Sequence, residues 1–336
     1  MASSELIVLD VGHGNCAIIR HGTEAIIVDA PGRPIVARTL DQLGITSIHA
    51  LLISHADSDH LSGAIPILLN GSRPVKHVYV NPDNRESDAW RQFRVAAREA
   101  REKGTAIHSS LNIEDPGEVF LENTKLTVLH PSPEMCLATN GGLHIDGSRN
   151  DSNSMSAVVL VEHDGQKVCL LAADSGSHSL EAMIKEKIDI KAPMLVFPHH
   201  GGNVHGTTDN KEFAKRLVEL VQPRIVIFSV GRGSHGTPRP EIVAAVREAL
   251  SGASPYIACT QISKNCIDVV PIKKRILSKM SEGFKRNNCC AGTVSWPLEK
   301  NGFDVLANEL NKHHSDFVIN EIPAALCRRR IAPTTI

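Results

Sequence analysis

Ser54-His55-Ala56-Asp57-Ser58-Asp59-His60-Leu61-Ser62-Gly63-Ala64 follows directly on the apolar run Ala50-Leu51-Leu52-Ile53, so four metal-capable side chains fall where a strand is expected to end. A divalent ion needs several deprotonated nitrogen or oxygen ligands converging on one point. A tight loop leaving a strand can aim His55 and Asp57 one way and Asp59 and His60 another, which suits two adjacent ions. The competing reading is a polar turn in which Asp57 or Asp59 caps a helix opening at Leu61. Capping uses one of these residues and leaves the other three unexplained.

Outward from that stretch, the same pattern of strand followed by polar residues recurs. Leu170-Leu171-Ala172-Ala173-Asp174-Ser175-Gly176 puts a second carboxylate at a strand end. Asp174 could bridge two cations, since a carboxylate offers two oxygens, or it could cap a helix near Ser177. In Phe197-Pro198-His199-His200-Gly201-Gly202, one imidazole could complete a metal site while its neighbour holds a phosphate or water. The glycine-rich segment Ser229 to Pro240 enters a helix, where Arg232, His235 and Arg239 could bind an anion; an ordinary flexible turn is the alternative. Near the start, Asp10-Val11-Gly12-His13-Gly14-Asn15-Cys16 reads as a glycine-permitted turn, with a pure hairpin role equally open. Asp29, closing the run Ile26-Ile27-Val28, could orient a ligating His through its other ring nitrogen.

The chain of 336 residues is 42% hydrophobic, enough for one large core or a core plus a small appended domain. Lys plus Arg (36) balances Asp plus Glu (37), so any nucleic-acid surface must be local. No apolar run is long enough to cross a bilayer, and MASSELIVLD lacks the marks of a signal peptide. A cytoplasmic protein with no membrane partner is expected. Eight irregularly spaced cysteines read as reduced thiols or metal ligands.

Short β-rich runs alternate with helical patterns, which predicts a layered α/β architecture. Strands are expected at 6–10, 17–20, 25–29, 50–53, 75–80, 126–129, 156–162, 167–171, 194–197 and 224–229. Helices are expected at 34–43, 85–103, 179–186, 210–221 and 240–250. The short links His21-Gly22-Thr23-Glu24 and His163-Asp164-Gly165-Gln166 predict hairpins, hence sheets that are not purely parallel. The composition shift predicts one domain over 1–254 and a Cys- and Lys/Arg-containing C-terminal extension over 255–336. Within it, Cys259, Cys266, Cys289 and Cys290 could form a structural zinc site or be buried thiols. Lys273, Lys274, Arg275, Lys279, Lys285 and Arg286 could track a phosphate backbone or form a solvated face.

Taken in order, DVGHGNC, HADSDHLSGA, AADSG, PHHGG and SVGRGSHGTPRPE resemble the metallo-β-lactamase superfamily, and within it the soluble nuclease domain of ComEC-type DNA-uptake proteins. The resemblance spans about residues 5 to 250. It implies an αββα sandwich, the metallo-β-lactamase fold, with a binuclear metal centre between the facing sheet edges. It assigns His55, Asp57 and Asp174 to one ion, and Asp59, His60, Asp174 and the His199-His200 pair to the other. Asn15 and Thr237 depart from the pattern, where Asp and His are usual, so His235 would have to replace that His from two residues upstream. The stretch Ser148 to Ser154 lacks the further His of many members, leaving Asn150, Asp151, Asn153 or water in its place.

Asp57 in place of a His hardens the ligand set, which favours Mn²⁺ or Mg²⁺ while still admitting Zn²⁺. The expected activity is metal-dependent phosphodiester hydrolysis, with nucleic acid as a possible partner and Asp59, Asp174 and His200 as catalytic residues. A small phosphoester, lactone or thioester hydrolase of the same fold is the alternative, followed by a non-catalytic metal-binding module.

Overall fold

The computed structural model describes residues 3–143, 147, 149–204, 208–233, 235–251, 255–273, 275 and 277–328. Lys274, and residue 254 at the expected domain boundary, lie outside them.

Alternation of apolar side chains is what gives the molecule its layers. In β1 (Ser4–Val8), β2 (Ala17–His21), β3 (Glu24–Val28) and β4 (Ser47–Ile53), both faces of each strand are apolar. Leu6, Val8, Ile19, Ile26 and Leu52 face one core, while Ile7, Ile18, Ile27 and Leu51 face another. Strands buried on both faces must lie inside a stack. β5 (Val75–Val80) and β6 (Ala106–His108) continue this sheet. The second sheet holds β7 (Glu118–Leu121), β8 (Thr124–His130), β9 (Val158–His163), β10 (Gln166–Leu171), β11 (Met194–Val196), β12 (Ile225–Phe228) and β13 (Tyr256–Cys259). β14 (Val294–Pro297) returns to the first.

The strand orders are β14-β1-β2-β3-β4-β5-β6 and β13-β12-β11-β10-β9-β8-β7, and both sheets mix parallel and antiparallel pairs. Both expected hairpins form, β2 with β3 and β9 with β10. In the second, Asp164 and Gly165 take positive φ (49° and 72°), as a two-residue turn with this twist requires.

Helices clothe the outer faces. α1 (Pro34–Gln42), α2 (Ser58–Leu61), α3 (Ala64–Asn70) and α4 (Asp88–Glu102) cover the first sheet with Leu40, Leu61, Leu68 and Phe93. α5 (Pro133–Ala138) is a short link. α6 (Ser177–Lys185), α7 (Asn210–Val221) and α8 (Pro240–Ala249) cover the second sheet through Leu180, Leu217 and Ile242. α9 (Gly302–His313) packs on β14, and α10 (Ile319–Glu321) follows a single π turn. The result is an αββα sandwich, as expected.

All ten expected strands and five expected helices are present. Four strands were not foreseen. β6 and β7 are very short, and β13 and β14 come from the segment read as an extension, which adds the outermost strand on one side of each sheet. The cysteines do not gather as a zinc site among the described residues: Cys259, Cys266 and Cys290 are buried in an apolar core, and Cys289 Sγ turns to Asp10 Oδ2 at 3.5 Å. Burial pushes the Cys289 thiol well above its ordinary pKa, so it stays protonated. No helix among the described residues is long and apolar enough to cross a membrane.

Glu5 ties the seam between β1 and β14. Its Oε1 meets Arg20 Nε at 2.9 Å, and its Oε2 accepts from Lys279 Nζ at 2.8 Å and from the Ser295 hydroxyl. Burial alone would raise its pKa, but the Lys279 and Ser295 hydrogen bonds and the two cations lower it. A carboxyl depressed by folding stabilises fully above its unfolded pKa and stops doing so as pH falls through the folded value. Glu5→Gln is therefore expected to cost about 1–3 kcal/mol at neutral pH, with the gap to wild type closing under acid. Urea titrations at pH 7 and below pH 4 check this; a gap that persists in acid would show the charge is not the cause.

Candidate metal centre

Loops at one end of the sandwich bring the polar clusters together. β4 ends at Ile53, and the loop 54–57 runs into α2, which carries Asp59 and His60. Asp174 follows β10, and His199 and His200 follow β11 in a short turn where both take left-handed backbone (φ 51° and 55°). The turn after β1 adds a residue the sequence reading did not assign, His13.

Two groups of possible ligands result. One holds His55, His60 and Asp174; the other holds His13, Asp59 and His200. Asp174 lies between them. Its Oδ1 is 3.3 Å from His60 Nε2 and 3.6 Å from His200 Nε2, and its Oδ2 is 3.9 Å from His55 Nε2. Asp59 Oδ2 sits 3.4 Å from both His13 Nε2 and His200 Nε2.

This partition differs from the one the resemblance implied. His60 groups with His55, although its Nε2 also lies 4.0 Å from Asp59 Oδ2. Asp57 stands at the rim, its Oδ2 3.9 Å from His55 Nε2 and its Oδ1 2.6 Å from Arg85 Nη2. Of the histidine pair, His200 faces both carboxylates, while His199 turns Nδ1 to Asp174 Oδ2 at 3.1 Å.

The ring nitrogens show what the site is built for. His60 Nδ1 pairs with Asp29 Oδ2 at 2.7 Å, His200 Nδ1 with the Ser229 carbonyl at 2.9 Å, and His55 Nδ1 with the hydroxyls of Ser54 and Ser156 at 3.0 and 3.1 Å. Each inner nitrogen is engaged, which turns Nε2 toward the centre as a ligand atom. His55 Nε2, His60 Nε2, His200 Nε2 and Asp174 Oδ1 are all buried without a hydrogen-bond partner among the described residues. Buried polar atoms are rarely left so. Three imidazole nitrogens and a carboxylate oxygen converging in this way fit a divalent cation.

Burial opposes charge on His60, yet Asp174 and Asp29 hold its pKa well above the usual range, so His60 carries a proton that a cation at Nε2 must displace. Burial likewise opposes ionised Asp174, but His60 and His200 keep its pKa well below the ordinary value. His55, desolvated and beside His60, is pushed down to about 3, and His13, desolvated beside His200, to about 4. Neutral imidazoles and ionised carboxylates are the forms that ligate metal.

The supporting residues were partly legible. Asp29 orients His60 as expected. It also accepts from the Ser54 amide and hydroxyl, both at 2.8 Å. Ser156, which the sequence reading passed over, joins His55 to the Asp174 amide at 3.0 Å. Asn15 donates to the Ala173 carbonyl at 3.4 Å, bracing the approach to Asp174. Asn150 and Asp151 bond within their own loop region, to the Met135 carbonyl and the Ser154 amide. Asp29→Asn is expected to weaken metal affinity about 10- to 100-fold with the fold intact; calorimetric titration of metal-free protein measures it, and unchanged affinity would remove Asp29 from the site.

Of the expected anion residues, Arg232 and His235 line one pocket, while the Arg232 guanidinium also donates to the carbonyls of Ile262, Ile267 and Asp268 at 3.1, 2.8 and 2.5 Å and so anchors the C-terminal segment. Arg239 lies 3.5 Å from Glu241. His235 alone reaches the centre's edge, stacked on His13 with ring centroids 4.0 Å apart. Beside it opens a pocket of about 230 Å³ that includes Arg33, Glu282 and Arg286. Three cations of the C-terminal basic run are engaged internally: Arg275 donates to the Cys290 carbonyl at 3.0 Å, Lys279 to Glu5, and Lys273 lies 3.5 Å from Glu321.

Comparison with known proteins places this geometry. The model of the metallo-β-lactamase superfamily matches residues 9–134, which include His13, Asp29, His55, Asp57, Asp59 and His60. No curated protein matches the chain by sequence. Similar solved structures include Igni18, a metallo hydrolase from the archaeon Ignicoccus hospitalis (15% identity, 75% of this chain and 94% of that chain, TM-score 0.44). They also include YhfI, a metallo-β-lactamase fold protein from Bacillus subtilis (12% identity, 78% and 98%, TM-score 0.46). A third is zinc-bound PqqB from Methylobacterium extorquens (12% identity, 76% and 97%, TM-score 0.45). At these values the likenesses carry no argument about what this chain does. The match over residues 9–134 spans less than half of the chain, and the two-sheet sandwich that carries it has the metallo-β-lactamase fold.

Proposed function

We propose that the protein is a metal-dependent phosphodiesterase working through two divalent ions. The observation that carries this reading is the convergence of His55 Nε2, His60 Nε2, His200 Nε2 and Asp174 Oδ1, buried and without hydrogen-bond partners among the described residues, with a second group around Asp59 beside it. His55, His60 and Asp174 would hold one ion, and His13, Asp59 and His200 the other, with Asp174 adjoining both. When bound, two such ions supply Lewis acidity toward a phosphoryl oxygen and lower the pKa of water. Mn²⁺ and Zn²⁺ suit this mixed imidazole and carboxylate set, and Mg²⁺ is a further candidate.

The chain's own residues do the positioning. Asp29, Ser229 and the Ser54 and Ser156 hydroxyls lock three imidazoles in place, so ligand geometry is set before substrate arrives. Asp59, more open than Asp174, lies where it can orient an attacking water. His199 is half-buried, and although desolvation opposes it, its contact with Asp174 raises its pKa. That keeps a proton at the rim of the centre, available to a leaving oxygen.

The test is direct. Protein stripped of metal, then supplied with Mn²⁺, Mg²⁺ or Zn²⁺, is assayed on bis(p-nitrophenyl) phosphate, single- and double-stranded DNA and RNA, with a lactone and a thioester alongside. Metal-dependent turnover of the diesters is the expected result. Turnover of the lactone or thioester with the diesters untouched would overturn the reading and favour the small-molecule alternative.

A further inference from the structure

In the C-terminal basic run Lys273, Arg275 and Lys279 are engaged internally, which leaves Lys285 and Arg286 as its remaining exposed cations among the described residues. A different surface carries a longer basic row. Arg91, Arg94, Arg98 and Arg101 are all exposed on α4, at spacings of three, four and three residues that put them on one face. The adjoining face, with Trp90, Phe93, Ala96 and Ala100, is buried against the first sheet. Axial steps of about 4.5, 6 and 4.5 Å spread the row over about 15 Å.

We propose that this row is a phosphate-backbone track leading a nucleic-acid strand to the metal centre, a proposal that rests on the phosphodiesterase reading. Arg91 pairs with Asp88, but among the described residues Arg94, Arg98 and Arg101 have no ion-pair partner, although Glu99 and Glu102 lie on one flank of the helix. Unpaired guanidinium groups in line suit a polyanion whose charges are also in line. The row begins beside the site: α2, which carries Asp59 and His60, packs on α4. A pocket of about 410 Å³ opens at that end, where Arg85, Arg91 and Arg94 outnumber the carboxylates of Asp83 and Glu86. Arg85 spans the remaining gap with its contact to Asp57 at 2.6 Å. An anionic membrane is the poorer occupant, because the apolar face of α4 is buried and cannot enter a bilayer.

The experiment compares wild-type protein with a triple variant, Arg94→Gln, Arg98→Gln and Arg101→Gln. All three positions are exposed, and circular dichroism verifies the fold. Binding of a fluorescent phosphorothioate oligodeoxynucleotide, single-stranded and duplex, is measured for metal-loaded protein across a salt series. Each lost phosphate contact lowers the log–log salt slope by about 0.7 for a single strand and 0.9 for a duplex, so a drop of roughly 2 to 3 is expected. Turnover of bis(p-nitrophenyl) phosphate should stay within about twofold of wild type, since that small diester makes no backbone contact beyond its own phosphate. An unchanged slope would make the row a solvated face and overturn the track. So would loss of binding to phosphatidylserine vesicles with oligonucleotide binding preserved. If wild-type protein fails on every diester but still binds oligonucleotide in a row-dependent way, the track stands as a binding surface and the hydrolase reading is what fails.

Discussion

Asp174→Asn is expected to lower diester turnover by at least about 10⁴-fold and to reduce bound metal from two ions per chain to one or none. Among the described residues no other carboxylate approaches both groups so closely, with oxygens 3.3 Å from His60, 3.6 Å from His200 and 3.9 Å from His55. Asparagine keeps the shape but removes the charge and replaces one acceptor oxygen with an NH₂ donor, which cannot ligate a cation. The local backbone should survive, because the Asp174 amide still donates to Ser156. Elemental analysis and a turnover assay on folded protein decide the matter. Wild-type turnover in this variant would remove the proposed centre.

Gly14→Ala is expected to empty one half of the centre and leave the other. Gly14 has φ 124°, where a side chain is strained, and a Cβ there would lie 2.4 Å from the Asp59 carbonyl oxygen. Backbone must move, either in the turn holding His13 or in the helix holding Asp59, and both residues belong to the same group of ligands. His55 and Asp174 lie on other segments, and His60, although it follows Asp59 in α2, is held through Nδ1 by Asp29. Metal content should therefore fall from two ions to one, with turnover down by roughly 10³-fold, since a shift of about 1 Å can by itself cost about 10²-fold. Strain of this kind costs about 1–3 kcal/mol, so the variant should still fold. Retention of two ions would show that His13 and Asp59 do not ligate together.

The parts legible in the sequence were those where a local signal coincides with the tertiary outcome. Ala50 to Ile53 is apolar on both faces and ends in ligands, so strand and site announce each other. Asp29 was legible because it closes such a run. His13 was not. Its turn reads as a hairpin, and what makes it a site residue is packing against the loop after β12, where a Cβ on Gly231 would meet the His13 amide at 2.4 Å. Arg232 was legible only in part: a cation in a glycine-rich loop looks like an anion ligand, and the distant carbonyls that also hold it show only in the fold. β14 was missed because its pairing with β1 spans almost the whole chain, beyond any local pattern. The arginines of α4 were readable as a periodic row, but their meaning depends on Arg85 reaching Asp57.

That same long closure governs how the molecule is made. Val8 pairs with Val294, and the Asp10 carboxylate that braces the His13 turn accepts from Gln261 at 2.9 Å and from the Gly283 amide at 3.1 Å. A chain emerging from the ribosome carries β1 with one edge bare until these distant partners arrive, and a bare edge recruits the wrong strand as readily as the right one. Pairing of such high sequence separation is slow. The nascent protein thus keeps that edge unpaired until the segment from Gln261 to Pro297 has been made, and the turn that carries His13 reaches its final setting only then.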